Sequence, residues 1–100
     1  MSNTLDDFIQ DISEVETIPV LEMRDVKRCH ILVPDVAKPI GAVFHHNRYY
    51  SYVMAYADES AAHRGAQRLM KKGNQVLLTK APRRLVLWVL EPDAKRVWSS

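Results

Sequence analysis

The chain has 100 residues, 47% of them hydrophobic and 26% charged, with three glycines; this is the composition of a single globular domain, not of a disordered or fibrous chain. A chain this short builds one core with little room for a deep cavity beside it, which argues against a small-molecule enzyme, and with Cys29 as the lone cysteine a secreted disulfide scaffold is excluded. The formal charge of +2 is unevenly spread: residues 1–25 carry seven acids and one base, residues 26–100 thirteen bases and five acids. The expected organisation is an acidic N-terminal helix and extended segment over 1–25 and a basic α+β domain over 26–100, either attracting each other or meeting different partners.

In chain order, Thr4 and Asp7 supply a helix-start signal, a hydroxyl to cap a free backbone N–H and a carboxylate in the first turn. Leu5, Phe8, Ile9 and Ile12 follow at helical spacing, predicting a short amphipathic helix over Leu5–Ser13 that needs a surface to lie against. The N-terminus lacks the basic and apolar parts of a signal peptide, and the longest apolar run, Leu85–Leu90, is far too short for a membrane span. A cytoplasmic protein without membrane contact is expected. Pro19 closes the first helix, and Ile18–Met23 is expected to be extended.

Arg28–Val33 favours a strand ended by Pro34 and Asp35. Ile40–His45 and Tyr49–Ala57, rich in β-branched and aromatic residues, predict a hairpin turned at His46-Asn47-Arg48. Asp58 reads as the N-cap of one long helix, with Lys71 and Lys72 in its last turn, Gly73 beyond, and Ala62, Ala66, Leu69 and Met70 as its buried stripe. Gln75–Thr79 and Leu85–Leu90 complete the strands, joined by Lys80–Arg84 as a hairpin. The fold class expected is α+β: a single antiparallel or mixed sheet of four to five strands packed by one long helix, with the short N-terminal amphipathic helix.

Leu85–Leu90 has no polar alternation and is expected to be buried on both faces. In the preceding hairpin, strict alternation places Tyr50, Tyr52, Met54 and Tyr56 on one face and Tyr49, Ser51, Val53 and Ala55 on the other. The smaller second set suits packing under the helix. The first set would then look away from it, to be covered by the N-terminal helix, a second subunit or a ligand.

The run Arg48-Tyr49-Tyr50-Ser51-Tyr52-Val53 followed by Asp58-Glu59-Ser60-Ala61-Ala62 resembles the third strand and second helix of the RNA recognition motif, in which strand aromatics stack on bases. Tyr49 stands where that family has glycine, and Ala55 at its last aromatic position. The resemblance implies nucleic-acid stacking on Tyr50 and Tyr52. Gln67–Val76 is similar to the glycine-capped helix and strand of small phycobilisome linker domains, a pattern shared by any such connection.

Arg64, Arg68, Lys71 and Lys72 share one side of the long helix, and Lys80, Arg83 and Arg84 crowd the late hairpin; both suit phosphates or acidic protein surfaces. His45 and His46 are adjacent, as are Cys29 and His30, so each pair would point to opposite faces of a strand and form no metal site. No nucleotide-binding, metal or nucleophile motif is present, and neither a cofactor nor catalysis is expected. The preferred reading is a non-catalytic adaptor or regulatory module binding an acidic protein surface, with homodimerisation as one way to cover the sheet. Its binding residues would be Tyr50, Tyr52, Tyr56, Arg64, Arg68, Lys71, Lys72, Arg83, Arg84 and Trp88. The alternative is an RNA or single-stranded nucleic-acid binder using the same residues.

Overall fold

The computed structural model describes residues 18–97, and the helix expected over Leu5–Ser13 lies outside them. The described elements are β1 (Val20–Glu22), a 3-10 turn (Met23–Asp25), β2 (Lys27–Leu32), β3 (Ile40–His45), β4 (Arg48–Tyr56), α1 (Glu59–Lys71), β5 (Val76–Ala81), β6 (Arg84–Leu90) and β7 (Lys95–Val97). All seven strands form one sheet in the order β1-β5-β6-β4-β3-β2-β7. It is mixed: β1 runs parallel to β5, and every other pairing is antiparallel.

The expectation of four to five strands is therefore wrong; there are seven strands and a single helix among the described residues. Of the two additional strands, β1 falls within the segment expected to be extended, Ile18–Met23, without having been counted in the sheet, and β7 was not expected; both are three-residue edges, too short to show alternation in the sequence. β1 is held where the Leu78 amide donates to the Pro19 carbonyl at 2.9 Å. Residues 18–25, grouped by charge with the acidic segment, thus pair and pack with the rest of the sheet.

Local chemistry sets the connections. His46 and Asn47 both adopt positive φ, 50° and 62°, the two-residue turn whose twist matches a β-hairpin. In the β5–β6 hairpin the strands run through Lys80, Ala81 and Arg84, leaving only Pro82 and Arg83 as the turn. Asp58 caps α1 by accepting from the Ser60 and Ala61 amides at 3.4 and 3.2 Å. At the other end the Gly73 amide donates to the Met70 carbonyl and the Asn74 amide to the Leu69 carbonyl. This pair of bonds needs the left-handed φ of 92° at Gly73, which a glycine adopts without a Cβ clash.

β6 lies between β5 and β4 in the middle of the sheet, and Leu85, Val86, Leu87 and Trp88 are buried in succession, as its unbroken apolar run demanded. Two cores follow, one on each face. On the first, Ala62 and Ala66 of α1 pack with Ile18, Val76, Leu78, Leu85 and Leu87. On the second, Val26, Val43, Tyr50, Leu77, Val86 and Trp88 form a cluster edged by Leu21 and Met23.

Among the described residues no helix covers that second face; the sheet covers it by curling. β1 ends at Glu22 and β2 begins at Lys27, a connection that reaches about 18 Å when fully extended. In the sheet order these strands are five places apart, about 24 Å across a flat sheet. The edges must bend toward each other, and the 3-10 turn accordingly lies against β5. The second core is the lining of the resulting concave face.

A β-bulge between Tyr52 and Met54 overturns the strict alternation expected in β4, because one extra residue reverses the facing of everything beyond it. Tyr50 and Tyr52 pair with Leu90 and Trp88 and face the concave side, whereas Met54 and Tyr56 pair with Leu87 and Leu85 and face α1. Tyr56 lies under the helix, where its hydroxyl rests against Gly65: a Cβ built there would touch the hydroxyl and lie 2.9 Å from the ring carbon Cζ. Gly65→Ala gains helix propensity of about 1 kcal/mol but forces the ring aside, and a net loss of about 1–3 kcal/mol is expected in denaturant unfolding. In a Tyr56→Ala background the same change should stabilise, giving a positive coupling in the double-mutant cycle.

A basic aromatic groove on the concave face

The concave mouth is built by strand alternation. On β2, Val26, Arg28 and His30 face the same side, and the register carries that side through Val43 and Gly41 of β3 to Tyr50 and Tyr52 of β4 and Trp88 of β6. Val26, Val43 and Tyr50 fill the interior. Toward the open end Arg28, His30, Gly41, Tyr52 and Trp88 line a groove of about 460 Å³. Cys29 and Ala42 also border it, through backbone, since alternation turns their side chains to the other face.

Tyr52 is 53% exposed, yet it is not loose: its ring meets Trp88 edge-on at 5.9 Å and 82°, a favoured aromatic geometry. Trp88, only 5% exposed, donates its indole N–H to the Thr79 hydroxyl at 2.8 Å. The exposed ring therefore stands on a buried, hydrogen-bonded base. Beside it, a Cβ at Gly41 would meet nothing within 4 Å, so the groove floor there is open backbone.

A second cavity, about 620 Å³, continues from Arg28 along the concave side toward the β5–β6 turn, lined by Glu22, Arg24, Val26, Lys80 and Pro82 among others. Arg28 borders both cavities. Together they make one path with Arg24, Lys80, Arg28 and His30 along it and Glu22 as the only acid among the described residues that line it. The Cys29 thiol is pushed above its ordinary pKa by burial, an effect opposed by the positive charge of Arg96. At the β3–β4 turn, His45 is pushed down by burial and by His46, whose ring stacks on it at 4.0 Å.

The residues expected to bind are not brought together. Tyr52 and Trp88 meet in the groove, but Tyr50 is 4% exposed, with its hydroxyl accepting from the Gln75 amide at 3.3 Å. Tyr56 is under α1. Arg64, Arg68 and Lys71 line a shallow groove on the outer side of α1 with Gln67. Lys71 and Lys72 stand near the start of β5 and Arg83 and Arg84 beyond its end, about 17 Å or more along the strand. Arg24, Arg28, His30 and Gly41 are the groove residues that sequence reasoning missed. Their signal was the period-two spacing of Val26, Arg28 and His30, legible once β2 is known to face a core.

Among the described residues no group of three or more His, Cys, Asp or Glu side chains is placed to hold a metal ion, and no helix is long and apolar enough to cross a membrane. Searched against protein-family models, curated proteins and solved structures, the chain has no match in any of the three. The rigid base of the groove is open to test. Thr79→Val leaves the buried Trp88 N–H without an acceptor and should cost about 1–3 kcal/mol in chemical denaturation. Thr79→Ser, which keeps the hydroxyl, should recover part of that loss.

Proposed function

We propose that the protein is a non-catalytic binding module that takes an extended acidic segment of a protein partner along the concave groove. The observation that carries this reading is the half-exposed Tyr52 ring braced on Trp88 beside Arg28 and His30. An aromatic anchor held rigid before binding loses little side-chain entropy on contact, and aromatic residues with arginine dominate binding energy at protein interfaces. The continuation of the path past Arg28, Arg24 and Lys80 supplies positive charge for carboxylates and speeds encounter with an acidic partner.

A single-stranded nucleic acid is the second reading, and the open floor at Gly41 favours it. Bare backbone beside an exposed ring and a guanidinium has the shape that a planar base fits. The bulge gives this reading one stacking ring in the groove instead of the row of tyrosines that a flat recognition sheet would present. Protein binding is therefore the better-supported choice.

Titration of the full chain with a mixed library of acidic peptides containing apolar residues, and separately with mixed single-stranded RNA, tests the proposal. Peptide binding that weakens at least about tenfold in Tyr52→Ala and in Arg28→Ala is expected, while Tyr52→Ala changes stability by less than about 1 kcal/mol. RNA binding with a steep salt dependence, lost in the same variants, would establish the second reading instead. Peptide affinity indifferent to both substitutions would contradict the assignment of the groove.

A further inference from the structure

The chain has three glycines, and the fold itself requires two of them. Gly73 ends α1 and is the one glycine with a positive φ among the described residues; Gly65 makes room for the Tyr56 ring under the helix. Gly41 does neither. It sits in β3, paired with His30 of β2, and a Cβ built on it would meet nothing within 4 Å. A glycine in a strand weakens the strand and leaves nothing to pack, so β3 carries a cost at Gly41 that its own packing does not explain. Such a glycine commonly marks a place where a ligand comes close to the backbone.

The register shows what stands around it. His30 lies beside Gly41 on β2, and on the other side the pairing of Ala42 with Ser51, continued by one residue, sets Tyr52 of β4 beside it. His30 and Tyr52 are both exposed, each about 4.8 Å, one strand spacing, from the bare position. The result is a slot with a side chain on each edge and backbone as its floor. A ring seated over Gly41 at that spacing from the Tyr52 ring is within the separation of about 4.5–7 Å at which aromatic rings attract. Arg28, which borders the same groove, offers a guanidinium to that ring. Trp88, bonded to Thr79, fixes the Tyr52 wall from below. A planar ring gains from all of these contacts, whereas an aliphatic side chain gains from burial alone.

We infer, on the reading of the groove as a peptide-binding site, that Gly41 determines its specificity and that the acidic segment is anchored by one aromatic side chain laid over the Gly41 backbone between His30 and Tyr52. The partner's ring takes the place that a side chain at position 41 would fill. The acids beside it in the partner then lie toward Arg28 and, past it, Arg24 and Lys80. The groove thereby selects an aromatic residue in an acidic setting, not negative charge alone.

Fluorescence anisotropy on the full chain tests this, with labelled acidic peptides that differ only at one central position occupied by Phe, Leu or Ala. The Phe peptide is expected to bind at least about threefold more tightly than the Leu peptide and at least about tenfold more tightly than the Ala peptide. Gly41→Val adds a side chain for which the fold has room and which strands favour; its denaturation midpoint should equal or exceed that of the unaltered chain, while its preference for Phe over Ala falls below about twofold. Gly41→Ala should lie between the two. Peptides that bind through Tyr52 and Arg28 but with Leu as good as Phe, or a Gly41→Val chain that keeps the preference, would overturn the aromatic anchor and leave the groove assignment standing. A lowered midpoint in Gly41→Val would overturn it as well, since the fold would then need the glycine. Binding of none of the peptides, or of mixed single-stranded RNA alone, would overturn the anchor and the groove assignment together.

Discussion

The short connection between β1 and β2 is the constraint on which the rest of the structure depends. A strand at one edge and a strand near the other are tied by a segment too short to cross a flat sheet, so the sheet has to curl. Curling encloses Val26, Val43, Leu77, Val86 and Trp88 on a face that no helix among the described residues covers. A domain of this size thereby obtains a second core without a second layer. The convex face needs only one helix, whose small residues Ala62, Gly65 and Ala66 let it approach β6 closely.

The same curvature creates the groove. Where the concave face opens, the interior side chains end and Arg28, His30, Gly41 and Tyr52 begin. The bulge at Val53 decides which tyrosines take part: it leaves Tyr50 and Tyr52 on the concave side and sends Tyr56 to the helix. Without it, β4 would present a tyrosine row on one face. With it, one tyrosine is an interior residue, one supports the helix, and one is exposed on a tryptophan base. Three chemically equivalent side chains thus have three different surroundings, and of the three only Tyr52 is exposed in the groove.

Much of the fold was legible in the sequence where a local signal had a local cause. Asp58 and Gly73 marked the ends of α1, Asn47 the β3–β4 turn, and the unbroken Leu85–Leu90 run the doubly buried central strand. The remainder depended on long-range geometry. Three-residue edge strands pair because the strands beside them offer free backbone groups, not because Val20–Glu22 or Lys95–Val97 carry a pattern of their own. A bulge leaves no signature in a run such as Tyr52-Val53-Met54, since either facing is apolar; the tyrosine face was accordingly misread. Of the candidate site, Tyr52 and Trp88 were found from their chemistry, while Arg28 and His30 were hidden because their strand's inward face could be assigned only after the curl was known.

The proposed binding role rests on that curl: a braced aromatic ring, a strip of cations and an open stretch of backbone share one groove because the sheet bends, and the groove would disperse if it were flat. Methyl and aromatic nuclear Overhauser spectroscopy on the full chain tests this most directly. The account predicts cross-peaks connecting the methyls of Met23 and Val26 with side chains of Leu77, Val86 or Trp88, across the concave core. Cross-peaks from Met23 and Val26 that reach only their neighbours in β2 and β3 would contradict it, for the edges would then be apart and the groove unformed.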